Sequence, residues 1–125
     1  ASGGGILSTV RQTREATKEK LIEQTIKRLD KMLAHGTATV EIKTGYGLDE
    51  TTEFKMMDVW EELDRQHPIY TVPTFLAAHA VPIADFKMQN ADLSNEEIAQ
   101  IYTGQICSEM IPKLFKWRRY GYLDE

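Results

Sequence analysis

Residues 37–51 read Thr37-Ala38-Thr39-Val40-Glu41-Ile42-Lys43-Thr44-Gly45-Tyr46-Gly47-Leu48-Asp49-Glu50-Thr51. The first seven alternate. Ala38, Val40 and Ile42 face one way, and Thr39, Glu41 and Lys43 face the other, the period of a β-strand. Gly45-Tyr46-Gly47 then marks a turn, and a helix is expected to start near Asp49 or Thr51. Met56, Met57, Trp60 and Leu63 give that helix a buried face.

The same alternation of helix and strand extends to both sides. Residues 17–35 are predicted helical, with Ile22, Ile26, Leu29 and Leu33 as one apolar stripe. Thr17 is its expected N-cap and Gly36 its stop. Residues 69–77 are predicted as a second strand, interrupted at Pro73, and the stretch from His79 to Asp92, with Pro82 inside it, as a loop. Ser94-Asn95-Glu96-Glu97 is a capping box that opens a third helix. Ile98, Ile101, Tyr102 and Met110 continue its stripe until Pro112 kinks or restarts it. Helix, strand, helix, strand, helix implies parallel strands and an α/β fold. The sheet could be open or part of a barrel. A full (β/α)8 barrel needs about 250 residues, so these 125 residues hold at most part of one. Glu41 and Lys43 would point inward in a barrel; an edge strand with one wet face explains them equally well.

Composition narrows the function classes. Apolar residues make up 42% and the net charge is −4 with both signs interspersed, which suits a globular domain and offers no basic field for nucleic acid. Lys113, Lys116, Arg118 and Arg119 form the one basic cluster and suit a solvated helix end. No apolar run approaches the roughly 20 residues of a membrane span, and Ala1 to Gly5 lacks the order of a signal peptide. Cys107 is the single cysteine, so no internal disulfide can form. It falls in a helix stripe and is expected in the core. A reducing cytoplasm fits this usage.

Candidate chemistry sits where the strands end. The three histidines form no His-x-His or His-Glu-x-x-His, and no Cys-x-x-Cys exists, so no self-contained metal site is expected. His35 at a helix end and His67 in a connection are expected to be structural or exposed. His79 follows a strand, in the position where α/β proteins bind ligands. A satisfied structural histidine is the competing explanation. Tyr46, between glycines that permit a sharp turn or close ligand approach, occupies the equivalent place after the other strand. If the strands are neighbours, both side chains can face one cleft. Gly3-Gly4-Gly5 lacks the Lys-Ser/Thr of a phosphate loop. Arg11 and Arg14 are read first as solvated surface, with anion contact as the alternative.

Three segments carry a resemblance. Gly3-Gly4-Gly5-Ile6-Leu7-Ser8-Thr9-Val10-Arg11, Val40 to Asp49, and Thr74-Phe75-Leu76-Ala77-Ala78-His79-Ala80-Val81-Pro82 resemble the imidazolonepropionases of the amidohydrolase superfamily, in order and with similar gaps. Cys107 to Pro112 also matches. Thr44 and Ala77 depart from the family's usual serine and frequent glycine by one methyl each.

The resemblance implies residues 1–125 as an internal piece of a (β/α)8 barrel, roughly two strand-helix units plus a preceding helix. It implies a hydrolase that opens 4-imidazolone-5-propanoate to N-formimidoyl-L-glutamate in histidine degradation. The parent would be a cytoplasmic homodimer that uses zinc or iron to make hydroxide, with a small-molecule substrate and neither nucleic acid nor membrane as partner. Tyr46 and His79 match substrate-contacting positions. The family's metal ligands map outside these residues, before Gly3 and after Glu125, so no metal is expected on this chain alone and it is expected to be inactive alone. A stand-alone α/β binding module, or a related amidohydrolase with another cyclic substrate, remains the alternative.

Overall fold

A computed structural model describes residues 5–115. The elements run α1 (Ile6–Glu15), α2 (Lys18–Ala34), β1 (Thr39–Lys43), α3 (Glu50–Gln66), β2 (Tyr70–Thr74), α4 (Ile83–Gln89), α5 (Asn95–Gln105) and α6 (Ile111–Lys113). A single 3-10 turn, Ala77–His79, precedes α4, and a π turn, Ile106–Met110, joins α5 to α6. β1 and β2 pair in parallel, with Thr39 opposite Tyr70 and Lys43 opposite Thr74. The α/β class with parallel strands is therefore observed. Two helices rather than one precede β1.

Local signals explain most boundaries. The Thr17 side chain accepts from Lys20 N–H and caps α2. Gly36 follows the helix with φ +86°, a backbone conformation natural to glycine. Asp49 caps α3 by accepting from Thr52 N–H. Ser94 and Glu97 form the reciprocal capping box at α5.

The sheet shows two faces. Val40 and Ile42 pack with Leu21, Ile22 and Ile26 of α2 around the buried Leu29, Val59, Leu63 and Ile69. Each such side chain removed from water contributes about 1.5–3 kcal/mol. The opposite face carries Glu41, Lys43, Tyr70 and Val72, all exposed. Trp60 on α3 donates its indole N–H to Thr71 Oγ1, whose hydroxyl donates to Asp64, so these two buried polar groups are paired. His67 is buried; its Nδ1 accepts from Ile69 N–H, which leaves Nε2 to donate to Asp30. It is a structural residue. His35 is exposed at the end of α2, its Nδ1 against Lys31 O.

Five expectations need correction. First, Pro73 does not interrupt β2. Tyr70 N–H donates to Ala38 O, and in a parallel ladder alternate residues of a strand address the same neighbour. Pro73, three residues on, turns its missing donor to the free edge. Second, β2 ends at Thr74, short of Ala77. Third, the predicted loop from His79 to Asp92 contains α4, Ile83–Gln89, which starts directly after Pro82. Fourth, the stripe of the last helices is Ile98, Tyr102, Ile106 and Met110, spaced by four, so Ile101 and Cys107 fall on the exposed side. Fifth, Leu33 is exposed near the end of α2. Among the described residues no helix is long and apolar enough to cross a membrane. Gly3, Gly4, Lys116, Arg118 and Arg119 lie outside the described residues; Lys113 pairs with Glu50.

Candidate functional site

The two strands end side by side, so the segments that follow them meet. Thr44 joins them. Its N–H donates to Thr74 O at 3.0 Å, and its hydroxyl oxygen accepts from Leu76 N–H at 2.9 Å. A serine would offer the same oxygen.

Gly45 brings the segments into contact. Its φ is +94°, and a Cβ there would lie 2.5 Å from Leu76 O and 2.7 Å from His79 Cβ. Any side chain at this position collides with the turn that carries His79. Gly47 is equally tight on the other side, where a Cβ would lie 2.6 Å from Thr52 Cβ. The glycines around Tyr46 are thus used by the protein's own packing. Tyr46 is the side chain between them, and its ring meets the His79 imidazole edge-on, centroids 5.1 Å apart and planes at 63°. The two residues singled out from sequence are neighbours at one end of the sheet. His79 is exposed, and Tyr46 is half-buried. Tyr46 also lines a cavity of about 360 Å3 with Lys43, Thr44 and Met57.

Three polar residues shape this end of the fold without having been singled out for it. Glu53, in the first turn of α3, is fully buried. Its Oε2 accepts from Gly45 N–H at 2.7 Å, and its Oε1 accepts from Gly47 N–H at 2.7 Å and Leu48 N–H at 2.9 Å. Lys55 donates to the carbonyls of Thr13, Arg14 and Ala16, and so occupies the C-terminal end of α1. Tyr102 donates its hydroxyl to Ala77 O at 2.8 Å, beneath the His79 turn. Burial drives the Tyr102 phenol upward in pKa, so it remains a neutral donor.

Arg14 departs from its reading as solvated surface. Its Nε lies 2.7 Å from Gly47 O and 3.0 Å from Asp49, and its Nη2 lies 2.7 Å from Asp85 on α4. The hydrogen bond to Asp85 raises the guanidinium further above its ordinary value, against partial burial that works the other way. One side chain of α1 therefore connects the turn after β1 to the helix after β2. Beyond it opens a cleft of about 520 Å3, lined by Arg14, Asp49, Asp85, Phe86, Tyr102 and Glu109. Arg11 remains exposed.

Among the described residues, no three His, Cys, Asp or Glu side chains converge as metal ligands. His79 meets the Tyr46 ring and belongs to no such group, so the described residues do not form a zinc or iron site.

The chain is 46% identical over 117 residues to an imidazolonepropionase of Herpetosiphon aurantiacus, covering 94% of this chain and 25% of the relative. It is 49% identical over 114 residues to the imidazolonepropionase of Streptococcus gordonii, covering 91% of this chain and 25% of the relative. With that of Haloarcula marismortui it is 56% identical over 82 residues, 66% of this chain and 20% of the relative. No family model matches the chain. The chain spans about a quarter of the length of these curated relatives, 20–25% of each. Over the stretch it covers, the chain belongs to the imidazolonepropionase family.

Proposed function

We propose that this chain supplies part of the substrate pocket of an imidazolonepropionase, the cytoplasmic hydrolase that adds water across a ring C–N bond of 4-imidazolone-5-propanoate. The product is N-formimidoyl-L-glutamate, and the setting is histidine degradation. Residues 1–125 form one stretch of a parallel (β/α) barrel in this reading, within a homodimeric parent. The observation that carries it is the edge contact of Tyr46 and His79 at the common end of β1 and β2, on motifs that match the family. Strand C-terminal ends are where such barrels bind their substrates.

Tyr46 offers a hydroxyl and His79 an imidazole to a substrate that carries a carboxylate and a polar ring. Their task is to bind and orient. The exposed row of Glu41, Lys43, Tyr70 and Val72 suits an inward barrel face. The zinc or iron implied for the parent finds no fitting donor set among the described residues.

Turnover of 4-imidazolone-5-propanoate by the full-length polypeptide tests the reading. Tyr46→Phe and His79→Ala should each lower kcat/KM by roughly tenfold or more, the scale of one lost hydrogen bond to a polar substrate group. Metal content should stay unchanged. Unaltered kinetics in both variants would sink the assignment, and turnover by residues 1–125 alone would overturn the view that they are only part of the machinery.

A further inference from the structure

Two of the three peptide N–H groups from which Glu53 accepts flank Tyr46, and the third follows one residue later. Gly45, Gly47 and Leu48 donate to it, and no side chain of the turn stands between them and the carboxylate. A fully buried carboxylate is costly unless several donors satisfy it. Here three donors and the N-terminal end of α3 do so. The two glycines contribute no side chains that could fix the turn. Its main chain is gripped by Glu53 on the N–H side and by Arg14 on the Gly47 carbonyl, while the buried Leu48 side chain anchors its far end. Leu48 is held at φ +56°, a left-handed backbone that a non-glycine residue adopts only under such restraint. The side chain this turn presents toward His79 is Tyr46.

We infer that Glu53 is a positioning residue for substrate binding: it sets the height and tilt of Tyr46 against His79 by holding the main chain on both sides of that tyrosine. The inference rests on the reading that Tyr46 meets substrate. Glu53 does not touch the substrate itself. Its effect passes through the backbone, so it should vanish when the Tyr46 side chain is gone.

A double-mutant cycle in the full-length enzyme tests this. Glu53→Gln preserves volume but turns an amide NH2 donor toward an N–H donor. It should lower kcat/KM for 4-imidazolone-5-propanoate on the order of tenfold, mainly through KM, as a displaced binding group does. Tyr46→Ala should lower it at least as far. The double variant should match Tyr46→Ala alone, because the two residues act as one unit.

A merely structural Glu53 would instead multiply its loss onto that of Tyr46→Ala, or leave the kinetics of folded enzyme unchanged. Either result overturns the inference. If Tyr46→Ala is itself without effect, the reading of Tyr46 as a substrate contact fails. The role in substrate binding then falls with it, and the placement of Tyr46 against His79 by Glu53 is decided separately by ring-to-ring proton contacts in NMR. Loss of the Tyr46–His79 contact in Glu53→Gln supports positioning, and an unchanged contact refutes it. Glu53→Asp retains both acceptor oxygens one methylene short, and serves the same cycle should the glutamine variant not fold.

Discussion

The turn after β1 and the turn after β2 touch each other, yet they are held in different ways. The first, Gly45–Leu48, has its main chain gripped by two charged side chains from different helices, Glu53 of α3 and Arg14 of α1. The second, Ala77–His79, is one 3-10 turn closed by its own His79 N–H to Leu76 O bond and backed by a neutral phenol, Tyr102. Gly45 and Gly47 are buried on the first side, whereas Ala78 and His79 are exposed on the second. The difference teaches a division of labour. One turn is a fixed wall, and the other carries the accessible imidazole. A binding site can keep one partner rigid and leave the other open to what arrives.

The contrast can be broken hardest at Gly45. Gly45→Ala forces a Cβ against Leu76 O and His79 at a backbone angle that disfavours any side chain. Destabilisation of about 3–4 kcal/mol should appear in chemical unfolding. A loss below about 1 kcal/mol would mean that the turns separate easily.

Tyr102→Phe probes the second turn and should do less. It leaves the Ala77 carbonyl without its phenol and should cost about 1–2 kcal/mol in the same measurement. An effect as large as that of Gly45→Ala would erase the proposed asymmetry.

The smallest effect concerns the exposed face of the strands that lead into the turns. The Thr74 hydroxyl donates to Glu41, and with Lys43 it holds the Glu41 carboxyl below its ordinary value of 4.5. A folded-state pKa that is depressed gives stability above the unfolded value, and this is lost as pH falls through the folded one. The contribution should therefore disappear below about pH 4.5 and weaken with salt. Thr74→Val should move the Glu41 midpoint in an NMR titration back toward 4.5. A midpoint that stays depressed would assign the shift to Lys43 instead.

What could be read from sequence was local. The caps at Thr17 and Ser94, the stripe Ile22-Ile26-Leu29 and the alternation in β1 are patterns within one or two turns of chain, and the structure keeps them. The adjacency of Tyr46 and His79 was legible because each follows a strand, and parallel pairing brings the two strand ends together. What was illegible depended on distant partners. Arg14 reads as surface until Asp85, 71 positions later, folds against it. Glu53 reads as an ordinary acidic residue in a helix's first turn, because nothing local reveals that its carboxylate turns inward to the preceding main chain. Cys107 was misplaced because the buried positions advance by four through the π turn, which carries the stripe away from it. The short helix α4 lacks a capping side chain and follows a proline, so its start resembled a loop.

The close approach at Gly45 also says where this sequence can change length. Surface connections usually absorb inserted residues at little thermodynamic cost. The segment from Thr44 to Asp49 has no such freedom, because its main chain already sits at contact distance from Leu76 and His79 on one side and from Thr52 on the other. The exposed connection Asn90–Asp92 between α4 and α5 meets no comparable constraint. Anyone grafting a tag, a fluorophore loop or a new chain terminus into this scaffold should open it there. Length variation among natural variants should be abundant at residues 90–92 and nearly absent at 44–49.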